Sequence, residues 1–245
     1  MKRTKFALIF IALALSACGA QTTTTTPAPA TATTVENLPQ ASATSQPEAQ
    51  PSPTVASAST SSETVTYTIV PGESQVSYSV DEVFINQNNR LNTAVGTTSQ
   101  ISGEIMLDRN NPKNSQIKPI TIDINQFTSD SGRRDNAIRE RFLESARFPE
   151  AVFTPTQIEG LPDVIEEGKD YNLKISGDLT VKETTQPASF DTTVRLEGDQ
   201  LRGQATTTLL MSDFGVGPIS LGGILKTEDE VQISFDFLAQ PSATG

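Results

Sequence analysis

The sequence predicts an all-β protein with antiparallel strands and one amphipathic helix. Three observations lead to this fold class: apolar residues alternate with polar ones in several runs, turn-forming residues separate the runs, and one long stretch has helical periodicity. Alternation with a period of two places one face of each strand in a core and the other face in water. The clearest runs are residues 75–80, 119–124, 171–181, 190–196 and 231–237.

The chain begins with a pattern typical of a lipoprotein signal peptide, residues 1–17. Three basic residues precede an apolar run from Phe6 to Leu15, which is short for a transmembrane helix. The tetrapeptide LSAC, ending at Cys18, resembles a bacterial lipobox, in which the Cys thiol receives diacylglycerol. An ordinary signal peptide that happens to contain a Cys is the alternative. The position of the chain's one Cys favours Cys18 as a lipidation site.

Residues 18–64 comprise this Cys and a stretch rich in Thr, Ala, Pro and Ser. Such a composition has too little aliphatic bulk to form a core and predicts a disordered tether. We therefore expect an exported protein whose lipid anchor holds it at the cell envelope. Gly19 stands where many bacterial lipoproteins retained in the inner membrane have Asp. That residue favours the outer membrane if the organism has one, and otherwise the outer face of the cell membrane.

Residues 65–240 form the predicted folded domain, followed by a tail at 241–245. Turn-forming segments divide the domain into about eight strands, and each strand has one apolar face. Strands of this kind either pack as two sheets or close on themselves as a barrel. Closure removes exposed sheet edges, and an eight-stranded barrel holds either a packed core or room for one small ligand.

The segment 133–147 is predicted to be the helix. Its apolar residues Ile138, Phe142 and Ala146 recur every four positions and form a single stripe along one face. Asp130 or Ser131 is a suitable N-terminal cap, and Pro149 is expected to stop the helix. With one narrow apolar face, the helix is expected to close one end of the barrel.

The composition excludes several kinds of site. The chain has no His and one Cys, so a Ser-His-Asp triad, a Cys-His pair and a His-based or Cys-rich zinc site are impossible. We expect no metal, no cofactor and no catalytic residues. The formal charge of −11 argues against a nucleic-acid partner. The oligomeric state is left open.

Four segments in order resemble the YceI-like family of bacterial envelope proteins: VGTTSQISGEI, ITIDINQFTSDSGRRDNAIRERFLESARFPEAVFTP, YNLKISGDLTV and MSDFGV. The strongest of these signatures is Arg134-Asp135 followed by Phe148-Pro149 and Phe153. The family commonly has His near the first strands and after the segment that here contains Leu179-Thr180. Those regions read PGESQVSYSV and VKETTQ here, so a ligand identity is not carried over.

The resemblance implies a lipocalin-like antiparallel closed barrel whose apolar tunnel holds a long isoprenoid or similar amphiphile. Under this interpretation, six aromatic residues are expected to line the tunnel: Tyr78, Phe127, Phe142, Phe148, Phe153 and Phe214. Taken singly, each of them is also a reasonable core residue. Arg133 and Arg134 are candidates for binding an anionic headgroup, because guanidinium groups match planar oxyanions. The alternative is that they pair with Asp135 or Asp213 and fix the helix to the barrel.

Three functional hypotheses remain after these observations. The first is a lipid-anchored protein that binds an isoprenoid-like lipid in its barrel and stores, shields or carries it. The second is a structural or interaction lipoprotein with a packed barrel. The third is an enzyme that acts on a lipid through carboxylates such as Asp135 or Asp213. A continuous apolar cavity distinguishes the first from the second, and a perturbed carboxylate within it would favour the third.

Overall fold

The structure is a computed structural model that describes residues 63–242. The predicted signal peptide, Cys18, nearly all of the predicted tether and residues 243–245 of the tail lie outside these residues. Within residues 63–242, no helix is long and apolar enough to cross a bilayer.

Most of the described chain is strand. The strands are β1 (Thr64–Ile69), β2 (Gln75–Phe84), β3 (Arg90–Thr98), β4 (Ile101–Ser102), β5 (Glu104–Asp108), β6 (Gln116–Ile117), β7 (Ile120–Asp123), β8 (Thr128–Ser129), β9 (Glu150–Glu159), β10 (Asp170–Val181), β11 (Thr184–Glu197), β12 (Gln200–Leu210), β13 (Ser220–Leu221), β14 (Leu225–Thr227) and β15 (Glu230–Pro241). The helix α1 (Gly132–Ala137) continues as a π-helical turn, Ile138–Phe142. Single 3₁₀ turns occur at Ile85–Gln87, Pro112–Asn114, Ile124–Gln126 and Met211–Phe214.

The strands form one antiparallel sheet that closes on itself. Some consecutive short strands occupy one position in the barrel, so we count each such set, or each single long strand, as one course. The barrel then has eight courses: β1 with β2, β3 to β5, β6 to β8, β9, β10, β11, β12 and β15. The first course pairs with the last, because β15 bonds to both β1 and β2. The prediction of a closed antiparallel barrel of about eight strands is confirmed.

The two ends of the barrel differ. At the end where the chain enters β1, a cluster of buried side chains fills the interior, including Tyr67, Ile69, Leu201 and Ala239. We call this the packed end. At the opposite end, which we call the helix end, lie α1, the β2–β3 turn and the long segment between β12 and β15. Along β10 the residues Ile175 and Leu179 are buried, as the alternation predicts.

The helix is shorter than predicted. It begins as expected, because Ser131 accepts a hydrogen bond from the Arg134 amide. It ends at Phe142 and not near Pro149, since the wide π turn closes with a bond from Leu143 N to Ile138 O. Glu144 then takes a left-handed conformation with φ of 50°.

Contacts from outside the helix favour this early end. The Glu144 carboxylate binds the Lys182 ammonium at 2.6 Å, and Ser145 is buried with its hydroxyl on Asn125. The predicted stripe is therefore broken. Ile138 and Phe142 face the barrel, whereas Ala146 lies beyond the helix and is exposed to solvent.

We predict that Gly177→Ala destabilises the fold. The register of β9 against β10 shifts at this residue, and a Cβ atom here would lie 2.3 Å from the Thr154 carbonyl oxygen and 2.7 Å from Pro155 Cα. Because backbone atoms of a central strand cannot easily move away, the loss should be about 2–3 kcal/mol in urea denaturation. Gly132→Ala is the control, since its Cβ would meet nothing within 4 Å. An equal loss in both variants would contradict the close-approach explanation.

Candidate ligand cavity

A cavity of about 640 Å³ occupies the barrel between the packed end and the helix end. This volume lies in the range of about 300–1,000 Å³ that small-molecule sites have in proteins. The lining side chains are mainly aliphatic and aromatic and come from all eight courses, from the helix and from the segment after β12. An apolar interior of this size suits a hydrocarbon ligand.

Five of the six aromatic residues expected to line a tunnel do line this cavity: Tyr78, Phe127, Phe142, Phe153 and Phe214. Phe153 belongs to the buried cluster with Phe190 and Phe214, whereas the Tyr78 ring packs edge-on against Phe127 with the centroids 5.3 Å apart. The cavity thus brings together residues that are far apart in the sequence.

Phe148 does not line the cavity, and its expected place there is corrected. The chain has already left the helix at Glu144, so Phe148 lies outside the lining. The Arg147 guanidinium lies over its ring, 4.6 Å from the centroid. This cation–π contact occupies the ring that was expected to face a ligand.

Sequence reasoning missed several lining residues. Phe190, Phe235 and Phe237 lie on strands whose inward faces were recognised, and the alternation was the available signal. Loop residues such as Val216 and Ile219 carried no periodic signal. Their inward position depends on the path of the segment between β12 and β15.

The cavity reaches solvent at the helix end. Four lining residues there are also exposed: Asn86, Gln87, Arg133 and Ile224. They belong to the 3₁₀ turn between β2 and β3, to α1 and to the segment between β13 and β14. We call the opening that they surround the mouth.

Arg134 is held by carboxylates beside the mouth. Its guanidinium binds Glu82 at 2.8 Å, forms a second ion pair with Asp130 and donates to Ser129 Oγ. The Arg134 side chain is 17% exposed and that of Glu82 is 3% exposed. Asn92 also donates to Glu82, at 2.8 Å. Burial works against the charge, but the bonds to Asp130 and Glu82 raise the pKa of Arg134.

These partners differ from the ones expected for a structural arginine. Asp135 is buried and accepts a hydrogen bond from Ser129 Oγ, and Asp213 lies exposed in the 3₁₀ turn after β12. Neither forms an ion pair among the residues that the structure describes. The expectation that an arginine of this pair fixes the helix to the barrel holds for Arg134, through β2.

Arg133 is arranged differently from its neighbour. It lines the mouth and is exposed, and within residues 63–242 its side chain has neither an ion pair nor a hydrogen bond. The two adjacent arginines thus have separate environments. One cation is neutralised inside the protein, and the other stays available at the opening.

Tyr78 places a hydroxyl-bearing ring on the cavity wall. Gly96 makes room for the ring, since a Cβ there would lie 2.3 Å from the Tyr78 Cε1 atom. Burial raises the pKa of Tyr78 to about 12, so the hydroxyl stays protonated at neutral pH. It is therefore a neutral group that can donate one hydrogen bond and accept others.

Thr192 is a second polar group in the lining, which sequence reasoning did not single out. It is 4% exposed, and its hydroxyl has no hydrogen-bond partner among the described residues. It lies opposite Ala205 in the β11–β12 ladder, between Phe190 and the packed end. A ligand atom or a water molecule could therefore bond to it.

The remaining polar chemistry near the cavity is limited. Glu82 is the one carboxylate among the lining residues, and it is bonded to Arg134 and Asn92. Within residues 63–242, no group of three or more acidic or Cys side chains could hold a metal ion.

The fold and the cavity define a class: closed antiparallel β-barrels that enclose one ligand-sized apolar space. The sequence profile of the YceI-like domain matches residues 67–239, which is most of the chain. This protein belongs to the YceI-like family. Protein YceI of Salmonella newport is 27% identical over 169 residues, covering 63% of this chain and 84% of that protein.

Solved structures share the fold. The Burkholderia cenocepacia protein BcnA superimposes with a TM-score of 0.53 and 22% identity, covering 70% of this chain and 99% of that one. A domain from Saccharophagus degradans, described as polyisoprenoid binding and implicated in plant cell wall breakdown, has a TM-score of 0.55 and 14% identity. It covers 73% of this chain and 99% of its own. At these identities the likeness shows the barrel fold.

We predict that Arg134→Met lowers the free energy of unfolding by about 3 kcal/mol, because it leaves the Glu82 carboxylate buried without its ionic partner. Arg133→Met is the matched control and should change stability by less than about 0.5 kcal/mol. Urea denaturation of both variants gives the comparison.

Adding Glu82→Gln to the Arg134→Met chain should restore much of the loss, since the buried charge is then gone. Equal losses for the two arginine variants, or no recovery in the double variant, would contradict the distinction between them.

Proposed function

We propose that this protein is a lipid-anchored envelope protein whose barrel binds one long-chain isoprenoid or similar amphiphilic lipid. The observation that carries the proposal is the apolar cavity of about 640 Å³ that opens at the helix end. Membership of the YceI-like family supports it, as does the fold shared with a domain described as polyisoprenoid binding.

The hydrocarbon part of the ligand supplies most of the affinity in this proposal. Burial of each CH₂ group contributes about 0.8 kcal/mol. Aromatic and branched aliphatic side chains surround the cavity, so they can pack against a branched chain along its length. Such a lining selects for apolar shape and only weakly for chemical identity.

The polar end of the ligand lies at the mouth in this proposal. Arg133 has no protein partner there, and the protonated Tyr78 hydroxyl lies further inside. Both can donate hydrogen bonds to oxygen atoms of a headgroup. Arg134 is less suited, since Glu82 and Asp130 already bind it. We therefore assign headgroup contact to Arg133 and a structural role to Arg134.

Binding is favoured over the two other hypotheses. A packed barrel without a ligand does not account for an apolar cavity that is continuous with a polar mouth. An enzyme that acts through a carboxylate needs that carboxylate free to accept or donate a proton. The carboxylate of the lining, Glu82, is bonded to Arg134 and Asn92, so we propose storage, shielding or transport without catalysis.

The cellular location is also part of the proposal. The signal-peptide pattern and Cys18 support export and attachment through diacylglycerol. We propose attachment to the outer membrane if the organism has one, and otherwise to the outer face of the cell membrane.

We predict that Ala94→Phe weakens ligand binding. Ala94 lines the cavity on β3, so a phenyl ring there would occupy ligand space. The affinity for a fluorescent polyprenyl analogue should fall at least about tenfold, which corresponds to about 1.4 kcal/mol. Val95→Phe is the control on the same strand, because Val95 faces outward and is 46% exposed. Thermal melts of both variants should be close to that of the parent chain.

A headgroup comparison extends this experiment. Arg133→Met should lower the affinity for a diphosphorylated analogue more than the affinity for a neutral analogue of equal chain length. An equal loss of affinity for both analogues would show that Arg133 does not contact the headgroup. Absence of binding by the parent chain, with a melt lowered by Ala94→Phe, would indicate a packed interior and overturn the proposal.

We predict that Cys18→Ser releases the protein from membranes, because the acyl chains that hold it are no longer attached. Fractionation of the native host would show the parent chain with membranes and the variant in the soluble exported fraction. Equal membrane association of both chains would argue against the lipid anchor.

A further inference from the structure

The two loops at the mouth have a charge that differs from the rest of the chain. We call residues 85–91 and 215–226 the mouth loops. The chain has 29 acidic and 18 basic residues, yet neither mouth loop contains Asp or Glu. Each contains one cation, Arg90 in the first loop and Lys226 in the second. Each loop by itself is therefore positively charged, although the exposed Asp213 and Glu228 flank the second loop. A positively charged loop on an acidic protein can approach a negatively charged partner.

The same loops expose large apolar side chains. Leu91 is 78% exposed, Ile224 is 49% exposed and Ile85 is 42% exposed. Ile85 and Ile224 are adjacent, because Ile85 N donates to Ile224 O at 2.8 Å. Leu91 lies on the neighbouring strand β3, opposite Val83, which is two residues before Ile85. Grouped exposed apolar residues on a water-soluble surface mark a site of interaction with another apolar surface.

Ile85, Leu91 and Ile224 form an apolar rim on the outer side of the mouth, and Ile224 connects this rim to the cavity. Ile224 belongs to the lining and is exposed, and its neighbour Leu225 is also part of the lining. A long hydrocarbon ligand that left the barrel into water would lose about 0.8 kcal/mol for each exposed CH₂. Direct contact between the mouth and a bilayer would remove that cost, since the chain would pass from one apolar environment to another.

We propose that the mouth loops dock on a phospholipid bilayer. Leu91, Ile85 and Ile224 enter the headgroup region, while Arg90 and Lys226 lie near lipid phosphates. The ligand then moves between bilayer and barrel without crossing water. This inference rests on the lipid-binding function proposed above, although the docking itself can be measured without any ligand.

The path of the chain allows this orientation. The chain enters β1 at the packed end, so the mouth faces away from the point where the preceding segment attaches. The sequence has 44 residues between Cys18 and Glu63. A chain of that length can span up to about 150 Å, well beyond the length of a barrel whose longest strand, β11, has 14 residues. An anchor at Cys18 and a docked mouth are therefore compatible.

Tryptophan fluorescence tests the proposal, because the chain has no Trp. The full chain carrying Leu91→Trp is mixed with vesicles of brominated phosphatidylcholine and phosphatidylglycerol. We expect a blue shift and strong quenching of its emission. Val164→Trp is the matched control: Val164 is also a large exposed apolar residue, at 67%, but it lies in the β9–β10 loop at the packed end. Its emission should change little.

Both reporters share the same chain and the same anchor, so only the orientation of the barrel separates them. Equal quenching of the two, or quenching of neither, overturns bilayer docking. A blue shift of the Leu91→Trp chain that depends on protein concentration and not on vesicles also overturns it, because the rim would then be an interface between copies of this chain.

Transfer of ligand gives a second readout. Leu91 does not line the cavity, so Leu91→Asp should leave the affinity for the polyprenyl analogue within about twofold. The rate of transfer from loaded protein to vesicles should fall about tenfold, which corresponds to about 1.4 kcal/mol. An unchanged rate overturns the role of docking in transfer. Failure of the parent chain to bind the analogue would instead overturn the proposed function, and the quenching result would stand separately.

Discussion

Closure of the sheet is the constraint on which the rest of this structure depends. Because β15 bonds to both β1 and β2, the ring leaves no long free edge, and every second side chain points into one enclosed volume. Tyr67 and Ala239 lie at this junction and are completely buried. A ring of eight courses leaves an interior that side chains can fill only where they are large enough.

The difference between the two ends follows from this constraint. At the packed end, Tyr67, Leu107, Leu196 and Leu201 meet across the ring and fill it. Towards the helix end, small residues such as Ala94 and Ala205 face the interior, and the helix and the segment after β12 cover the opening incompletely. The packed end is therefore filled and the part towards the helix end is hollow. The cavity need not weaken the core that stabilises the fold, because that core lies at the packed end.

The Glu82–Arg134 pair connects the fold to the proposed chemistry. It joins β2 to α1 through two residues that are 52 positions apart in the sequence, and so fixes the helix beside the mouth. Because both groups are largely buried, loss of either charge would leave the other unpaired and would strongly destabilise the fold. Arg133, the preceding residue, is left exposed at the opening. One of the two adjacent arginines thus has a structural role, and the guanidinium of the other has no ion pair among the described residues.

The sequence by itself determined which side chains face inward along the strands, where the helix begins and which aromatic residues are candidates for the lining. These features depend on local preferences: a period of two, a Ser cap and turn-forming residues. Tertiary contacts decided that the helix ends at Phe142, that Arg134 pairs with Glu82 and that Phe148 lies outside the cavity. They also decided which inward residues face a void. The position of the cavity depends on the summed volume of side chains that meet only when the ring closes, so a local sequence pattern does not predict it.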